Sequence, residues 1–541
     1  MVALKSKLLP IAASIAVTMV FFLPFFASGG DQLSGDLSDN RLLIVILEHW
    51  RAVVDGQAPP TSPNFFAPVQ GALAYSEAMC LFVPPYLLLR ALTLNPYLAF
   101  QFTLVAAKIL AFLALFALLR RAAGLSPELA AWAAALYAMS NMYAASLGHG
   151  QLTSHAFLPL ILWLTCLAWD LLPTRPLAAH ACAAAAAVIF ALLFFTAYYI
   201  AFYFGLSAGL CFLIFLFLEM RQPSGRFPFR SALPLALTAA SFFALGLIPF
   251  LVTYLPLYRA VGGRPYGVLQ DQIMGVAQIV SPGFANVLWG GFVQSNPNLF
   301  QVNVPREIGR GWTPVTFVVF LIAAAGIWRR PKPTSAHRLG AASCLTVLLL
   351  ALAATSFGGL QPWRLIHYFV PGASGVRVPQ RINLVLNLAV VIVLAVWFRG
   401  KFRDPSLRKS FMRSLALTAL LFLALVEQLN SGAFPGYSRH ADLAYLGRVP
   451  APPSSCRNFF VSRSDRPDPS WTQIDAMLLA RKFNLPTLNG YSGLSPQGWK
   501  CEPQVTACAI SLQNWARANN ITAGLCALDL SSATWLPAVT E

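Results

Sequence analysis

Charge is scarce in this chain of 541 residues. Only 11% of its residues are charged and 57% are hydrophobic. A soluble globular chain carries about 25% charged residues. The deficit means that lipid solvates most of the chain. Acids are scarcer than bases, 20 against 38, and the net charge is +18. Familiar chemical motifs are missing too. There is no P-loop, no GxGxxG after a strand, no GxSxG and no internal repeat. These absences remove the sequence grounds for a Walker-type NTPase, a dinucleotide fold or a hydrolase elbow. There is no CxxC and no nearby histidine pair, which argues against zinc. No basic run interleaves aromatics as a nucleic-acid patch would.

Long apolar runs are what the chain has instead. Runs of about 20 residues can cross ~30 Å of hydrocarbon. They predict spanning helices near 8–28, 98–119, 127–146, 155–172, 179–198, 200–219, 231–253, 313–328, 339–356, 382–398 and 414–430. Phe25-Phe26-Ala27-Ser28-Gly29 is a weak cleavage site, so the first run reads as a retained helix. With the N-terminus inside, the basic clusters fall on one side, as the positive-inside rule demands. They are Lys5/Lys7, Arg120/Arg121, Arg175, Arg221/Arg226/Arg230, Arg329/Arg330/Lys332/Arg338 and the group from Arg399 to Arg413. The expected fold is an α-helical polytopic membrane protein of about eleven spans over residues 1–432. Residues 433–541 turn polar and predict a small extracytoplasmic α/β domain, with strand-like runs at Asn458–Val461 and Ala523–Leu530. Cys456, Cys501, Cys508 and Cys526 lie there. An even count outside the cytoplasm suggests disulfides. Cys501–Cys508 with Cys456–Cys526 is one of three pairings, and spacing does not choose.

Two segments resist simple assignment. Glu77–Thr93 is apolar but carries Pro84-Pro85 and Arg90. It reads as a re-entrant or surface-lying helix, and Pro85 argues against a regular one. Leu42–Val54 has apolar residues at helical spacing and suits an amphipathic helix in the membrane interface. Both belong to a first outer loop, 29–97. The 254–312 segment is rich in Gly, Pro and Asn and predicts irregular structure with one or two short helices.

Candidate chemistry gathers on the side opposite the basic clusters. Asp36 and Asp39 sit in the acidic outer loop, at an offset that lets both face one cavity. A carboxylate there can take a proton from a hydroxyl or hold a divalent cation. The same acids equally suit capping of the next helix. Glu77 is a second acid, or only a cap partner. His149 and Gln151 lie in Gly148-His149-Gly150-Gln151, where the glycines permit close approach of a ligand. Arg377 and Arg381 are guanidinium groups four residues apart on the outer side, suited to a lipid phosphate or to interfacial anchoring. Lys108 lies mid-span and takes no assigned role.

Together these stretches resemble the GT-C superfamily of polytopic glycosyltransferases. The matching pieces are Gly35-Asp36, Phe65 to Pro68 through Leu73-Ala74-Tyr75-Ser76-Glu77, Leu147 to Leu152, Phe194-Phe195-Thr196-Ala197-Tyr198-Tyr199, Pro371 to Arg381, and Asn489-Gly490-Tyr491-Ser492-Gly493. The resemblance implies a sugar donor on a polyprenyl phosphate, a lipid or glycan acceptor, and transfer outside the cytoplasm of a bacterial inner membrane. It places the base or metal contact at Asp36, a second acid at Glu77, and substrate contacts at His149, Gln151, Tyr198, Tyr199, Arg377 and Arg381. The family pattern has a hydrophobic residue near position 39. Asp39 departs from it and leaves open which aspartate acts. No cofactor is diagnostic, although a divalent cation could assist. Rival readings are a flippase for lipid-linked glycans and a non-catalytic envelope assembly protein.

Overall fold

The computed structural model describes all residues except 1, 93, 222–228, 301–306, 308, 330–333, 404–410, 433–435, 502–504, 522 and 538–541. For residues 2–7, 229, 506 and 537 it describes the backbone alone. Arg226, Arg330, Lys332, Arg408, Lys409 and the 432/433 boundary region therefore lie wholly or partly outside the described residues.

Apolar sequence in lipid must satisfy its own backbone polar groups, and helices do so within one segment. Seven helices among the described residues are long and apolar enough to cross a membrane. In chain order the helices are α1 (Val2–Phe21), α2 (Asp39–Val54), α3 (Val83–Ala91), α4 (Pro96–Ala122), α5 (Pro127–Ala138), α6 (Phe157–Leu171) and α7 (Pro176–Phe194). They continue with α8 (Tyr198–Met220), α9 (Phe229–Val261), α10 (Pro314–Arg329), α11 (Ser335–Ala353), α12 (Ile382–Phe402) and α13 (Phe411–Val426). Local sequence starts several of them. Asn95 and Ser126 accept from Leu98 N and Leu129 N, and proline follows each cap. Proline at that position loses no helical hydrogen bond. Helices α4 and α12 form the buried centre of the bundle, whereas the apolar face of α9 is open along its length.

Four expectations need correction. The 127–146 run is not one span. It is the 12-residue α5, a break at Met139–Ser140 and a single turn at Asn141–Ala144. Pro84 and Pro85 do not disrupt a helix but begin one, because they occupy the first turn of α3. At 9 residues, α3 is about 14 Å long and too short to cross. Helix α2 does not lie half-exposed in an interface: Asn40 to Leu47 are all buried, because the C-terminal segment covers its polar side. Among its described residues the 254–312 region holds the end of α9 and three short helical pieces, at Gly267–Gln270, Val276–Val280 and Gly290–Ser295.

The C-terminal segment is an α/β unit. Strand β1 (Gln32–Leu33) of the outer loop pairs antiparallel with β2 (Tyr437–Ser438) where this segment begins. Strand β3 (Asn458–Arg463) runs parallel to β4 (Leu525–Asp529), and β5 (Thr534–Pro537) runs antiparallel to β4. Helices α14 (Arg439–Gly447), α15 (Pro469–Phe483) and α16 (Val505–Ala518) complete it. Two small cores hold it, one around Phe459, Val461 and Leu528, the other around Phe460, Leu488 and Leu512. Cys456 is bonded to Cys526 and Cys501 to Cys508.

Candidate active site

The site grows from the N-terminus of α2. Asp36 Oδ1 accepts from the Ser38 amide at 3.0 Å, an arrangement that turns the chain into the helix. Asp39 follows in the first turn, where the helix dipole favours a carboxylate. Asn40, fully buried, then reaches across the bundle. Its Nδ2 donates to Ser34 O and Leu147 O, both at 2.8 Å, and its Oδ1 accepts from Gly150 N at 2.8 Å. This clamp brings residues 147–150 onto the α2 terminus. A Cβ at Gly150 would meet Asn40 Oδ1 and Phe100 at 2.9 Å. Here the glycine admits the chain's own Asn40 and Phe100, not a ligand as the sequence suggested.

The clamp sets His149 beside Asp39. His149 Nδ1 lies 2.5 Å from Asp39 Oδ2, and Tyr491 Oη donates to Asp39 Oδ1 at 3.0 Å. The other ring nitrogen, Nε2, lies 3.3 Å from Glu307. Glu307 in turn pairs with Arg310 and with Arg381, whose Nε donates at 2.9 Å. The Arg381 guanidinium sits 4.9 Å above the Tyr199 ring. Tyr199 Oη accepts from the Arg377 amide at 3.1 Å, while the Arg377 side chain is exposed.

Glu77 completes the group. Tyr254 of α9 donates to Ser76 O at 2.6 Å, and Thr196 accepts from Leu81 N at 2.9 Å. These bonds fix the turn that carries Glu77. Gln151 is its side-chain hydrogen-bond partner. Asp36, Asp39, Glu77, His149, Gln151, Tyr199 and Arg381 thus converge from distant parts of the chain. Tyr198 does not join them. Its hydroxyl donates to Gly372 O at 2.7 Å and its ring stacks on Phe250. A Cβ at Gly375 would strike that ring at 2.9 Å, so Tyr198 shapes the turn before Arg377.

Electrostatics differentiate the acids. Burial raises the Asp36 carboxyl above its usual range, and the neighbouring Asp39 charge adds to this. Burial would also raise Asp39, but the His149 and Tyr491 hydrogen bonds and the Arg381 charge outweigh it and lower Asp39. Glu77 is pushed up to about 7 by burial; Arg381 opposes the shift and Asp39 adds to it. Burial holds His149 below its ordinary value despite the Asp39 bond.

Sequence reasoning missed Glu307, Arg310, Tyr491 and Asn40. One signal was present: Glu307 and Asp271 are the only acids between 254 and 312. Lys108 lies apart from the site. Its ammonium sits 3.2 Å from Ala138 O and 3.9 Å above the Phe21 ring. The break after α5 frees that carbonyl. No group of three acids, histidines or cysteines among the described residues is placed to hold a metal ion, and both Asp39 oxygens are engaged by His149 and Tyr491.

No family model and no curated protein matches the chain. Among solved structures, the mycobacterial arabinofuranosyltransferase AftD superposes with TM-score 0.51 at 16% identity, over 88% of this chain and 31% of that one. The apo Archaeoglobus fulgidus oligosaccharyltransferase superposes with TM-score 0.49 at 13% identity, over 90% of this chain and 64% of that one. The A. fulgidus oligosaccharyltransferase AglB, bound to an inhibitory peptide and a dolichol-phosphate, gives TM-score 0.48 at 13% identity, over 96% and 69%. The chain spans less than two thirds of the length of the first two. At such identities the likeness is one of fold alone: this chain, with several membrane-length apolar helices, shares the fold of part of the arabinofuranosyltransferase AftD.

Proposed function

We propose that this chain is a glycosyltransferase that moves a sugar from a polyprenyl-phosphate donor to an acceptor hydroxyl outside the cytoplasm. One observation carries the proposal: Asp36, Asp39, Glu77, His149 and Arg381 meet in one cluster with the exposed Arg377 beside it. Acid for an incoming alcohol and cation for a departing phosphate then share one site.

A sugar–phosphate bond is already activated, so no covalent intermediate is needed. The acceptor oxygen bonds to the anomeric carbon as the bond from that carbon to the phosphate oxygen breaks. The hydroxyl proton passes to Asp36, and the electron pair leaves with the phosphate. Asp36 suits this role because burial and Asp39 raise its proton affinity. Asp39 is already engaged by His149 and Tyr491, so it orients rather than abstracts. Arg377 meets the phosphate, and Arg381, held by Glu307 and Tyr199, supplies fixed positive charge. Glu77, which burial pushes up to about 7, donates a hydrogen bond to a sugar or phosphate oxygen in its protonated form. No step is routed through a metal ion.

The topology in this reading has a multi-pass bundle over 1–432, a cytoplasmic N-terminus and residues 433–541 on the periplasmic face of a bacterial inner membrane. The basic clusters support that orientation, and the two disulfides suit an oxidising compartment. The test is sugar transfer from defined polyprenyl-phosphate donors by purified wild type and Asp36→Asn. The wild type transfers, and the variant loses about a hundredfold or more in kcat. Equal rates would remove Asp36 as the base. Transbilayer movement of the lipid-linked sugar without transfer would replace the enzyme with a flippase.

A further inference from the structure

A second charged cavity lies away from the reaction cluster. It encloses about 490 Å³ between the C-terminal half of α2, α3, the start of α4, and helices α14 and α15. Asp39 and Glu48 are nine residues apart on α2, so the two sites are separated by about 14 Å of helix. The charged lining residues are Glu48, Arg51, Asp55, Arg90, Arg481 and Lys482.

Both acids are already engaged. Glu48 accepts from Tyr86 at 2.6 Å, from Arg90 Nε at 2.7 Å and from Arg51 at 3.3 Å. Asp55 lies 3.6 Å from Arg51. Among the described residues no ion pair joins Arg481 or Lys482 to a carboxylate, and the already engaged Glu48 acts on Arg481 only through its charge. Arg481 Nη1 is buried and has no hydrogen-bond partner. Lys482 Nζ donates to Leu446 O at 3.2 Å and Val449 O at 3.5 Å and lies 4.9 Å from the centre of the Phe483 ring. Burial disfavours the charge on both. The unsatisfied buried donor of Arg481 is costly, and an anion inside the cavity would relieve it, with the exposed Lys482 ammonium adding a second positive charge.

The rest of the cavity describes the anion. A guanidinium fork beside an ammonium matches tetrahedral phosphate. Leu443, Leu446 and Leu478 supply an apolar wall beside the charges. The volume falls in the ~300–1,000 Å³ range of small-molecule sites, which is more than a bare ion fills. Leu88 and Leu92, flanking Arg90, are 65% and 63% exposed. They put an apolar face next to the cavity, as at a lipid headgroup boundary.

We propose that this cavity is a phosphate-binding site whose anion is held by Arg481 and Lys482. It is distinct from the reaction site and does not depend on the transfer reading. The source of the phosphate is either a phospholipid headgroup or a free ion, and the arms of one experiment separate them.

The full chain is reconstituted in phosphatidylcholine nanodiscs with or without phosphatidylglycerol, and bound lipid is counted by native mass spectrometry. Inorganic phosphate is titrated separately in detergent, with thermal unfolding as readout. The site is supported if either probe binds and Arg481→Gln or Lys482→Gln weakens binding about tenfold, the loss of one charge-assisted hydrogen bond. Preference for phosphatidylglycerol identifies the lipid; a response to phosphate alone identifies the free ion. Gly447 lines the cavity, and a Cβ there meets open space. Gly447→Phe therefore fills the cavity without straining the fold, and it decides the matter should a charge variant fail to fold. Failure of both probes to bind, or binding that survives Gly447→Phe, overturns the proposal.

Discussion

Arg41 offers the sharpest test of how the outer loop is held to the C-terminal segment. It is 0% exposed and sits between Asp442, 2.9 Å from its Nε, and Asp475, which pairs with Nη2. Arg466 bridges the same two acids at 2.7 and 2.8 Å, and Tyr97 donates to Asp442 at 2.6 Å. Two cations and two anions balance. Arg41→Met keeps much of the stem but leaves two buried carboxylates with one guanidinium. At an effective dielectric of about 20, the attraction to Asp442 alone is roughly 6 kcal/mol. Desolvation of the guanidinium offsets several kcal/mol of that. Breaking such a pair from one side costs about 3–5 kcal/mol net. Thermal unfolding of purified wild type and variant measures the cost. Hydrogen exchange locates it, with protection lost first in α14 and α15. A neutral set, Arg41→Met with Arg466→Met, Asp442→Leu and Asp475→Leu, should recover most of the loss, because no buried charge is then stranded. A cost below about 1 kcal/mol for Arg41→Met, or loss confined to the bundle, would refute the reasoning.

Three further outcomes follow from named contacts. Glu77 is raised from 4.5 to about 7 on folding, so the native state binds its proton more tightly than the unfolded chain. Its contribution is fully present below pH 4.5 and is lost as pH rises through 7; Glu77→Gln should flatten that part of the unfolding-midpoint profile, and an unchanged profile would contradict the shift. Glu427 is fully buried and accepts from Thr313 Oγ1 and Thr316 Oγ1 at 2.6 Å, Thr316 N at 2.5 Å, and Val315 N at 3.0 Å. It caps the N-terminus of α10 from the end of α13, and Glu427→Ala should cost about 2–4 kcal/mol in thermal unfolding. Tyr491→Phe removes one hydrogen bond to Asp39 and should lower kcat roughly tenfold with at most about 1.5 kcal/mol of lost stability; full activity would show that Tyr491 does not orient Asp39.

Much of the bundle was legible because lipid imposes a simple rule: twenty apolar residues make a helix that satisfies itself. The rule fails where composition is blind. Residues 127–146 are apolar on average, yet the helix stops at Ala138, and window-averaged hydropathy passes over the polar Ser140-Asn141 pair at the break. The stretches around Asp36, Glu77, His149 and Arg381 stood out because charged residues are only 11% of the chain. Their meeting did not, because Asn40 and Leu147 are 107 positions apart and no periodicity links them. Glu307 was overlooked for the same reason, lying in a segment that reads only as irregular. The cysteine pairing likewise needed the fold. The parallel register of β3 and β4 sets Phe459 opposite Cys526, which brings Cys456 to its partner.

Consecutive residues of α2 explain why one helix end organises so much. At 3.6 residues per turn, each side chain is rotated about 100° from the last, so three in a row fan across most of the circumference. Asp39 faces the reaction cluster, Asn40 clamps residues 147–150 of the bundle, and Arg41 enters the ion network of the C-terminal segment. The C-terminal segment answers twice, through Asp442 and Asp475 to Arg41 and through Tyr491 to Asp39. Gly490 leaves room for Phe66 of the outer loop, and Phe66 N donates to Asn489 O at 3.0 Å, which sets the position of Tyr491. The carboxylate is therefore oriented by bundle and C-terminal segment together. Displacing either one moves Asp39 within a single helical turn, so the cluster can reach its full geometry only when the C-terminal segment is seated.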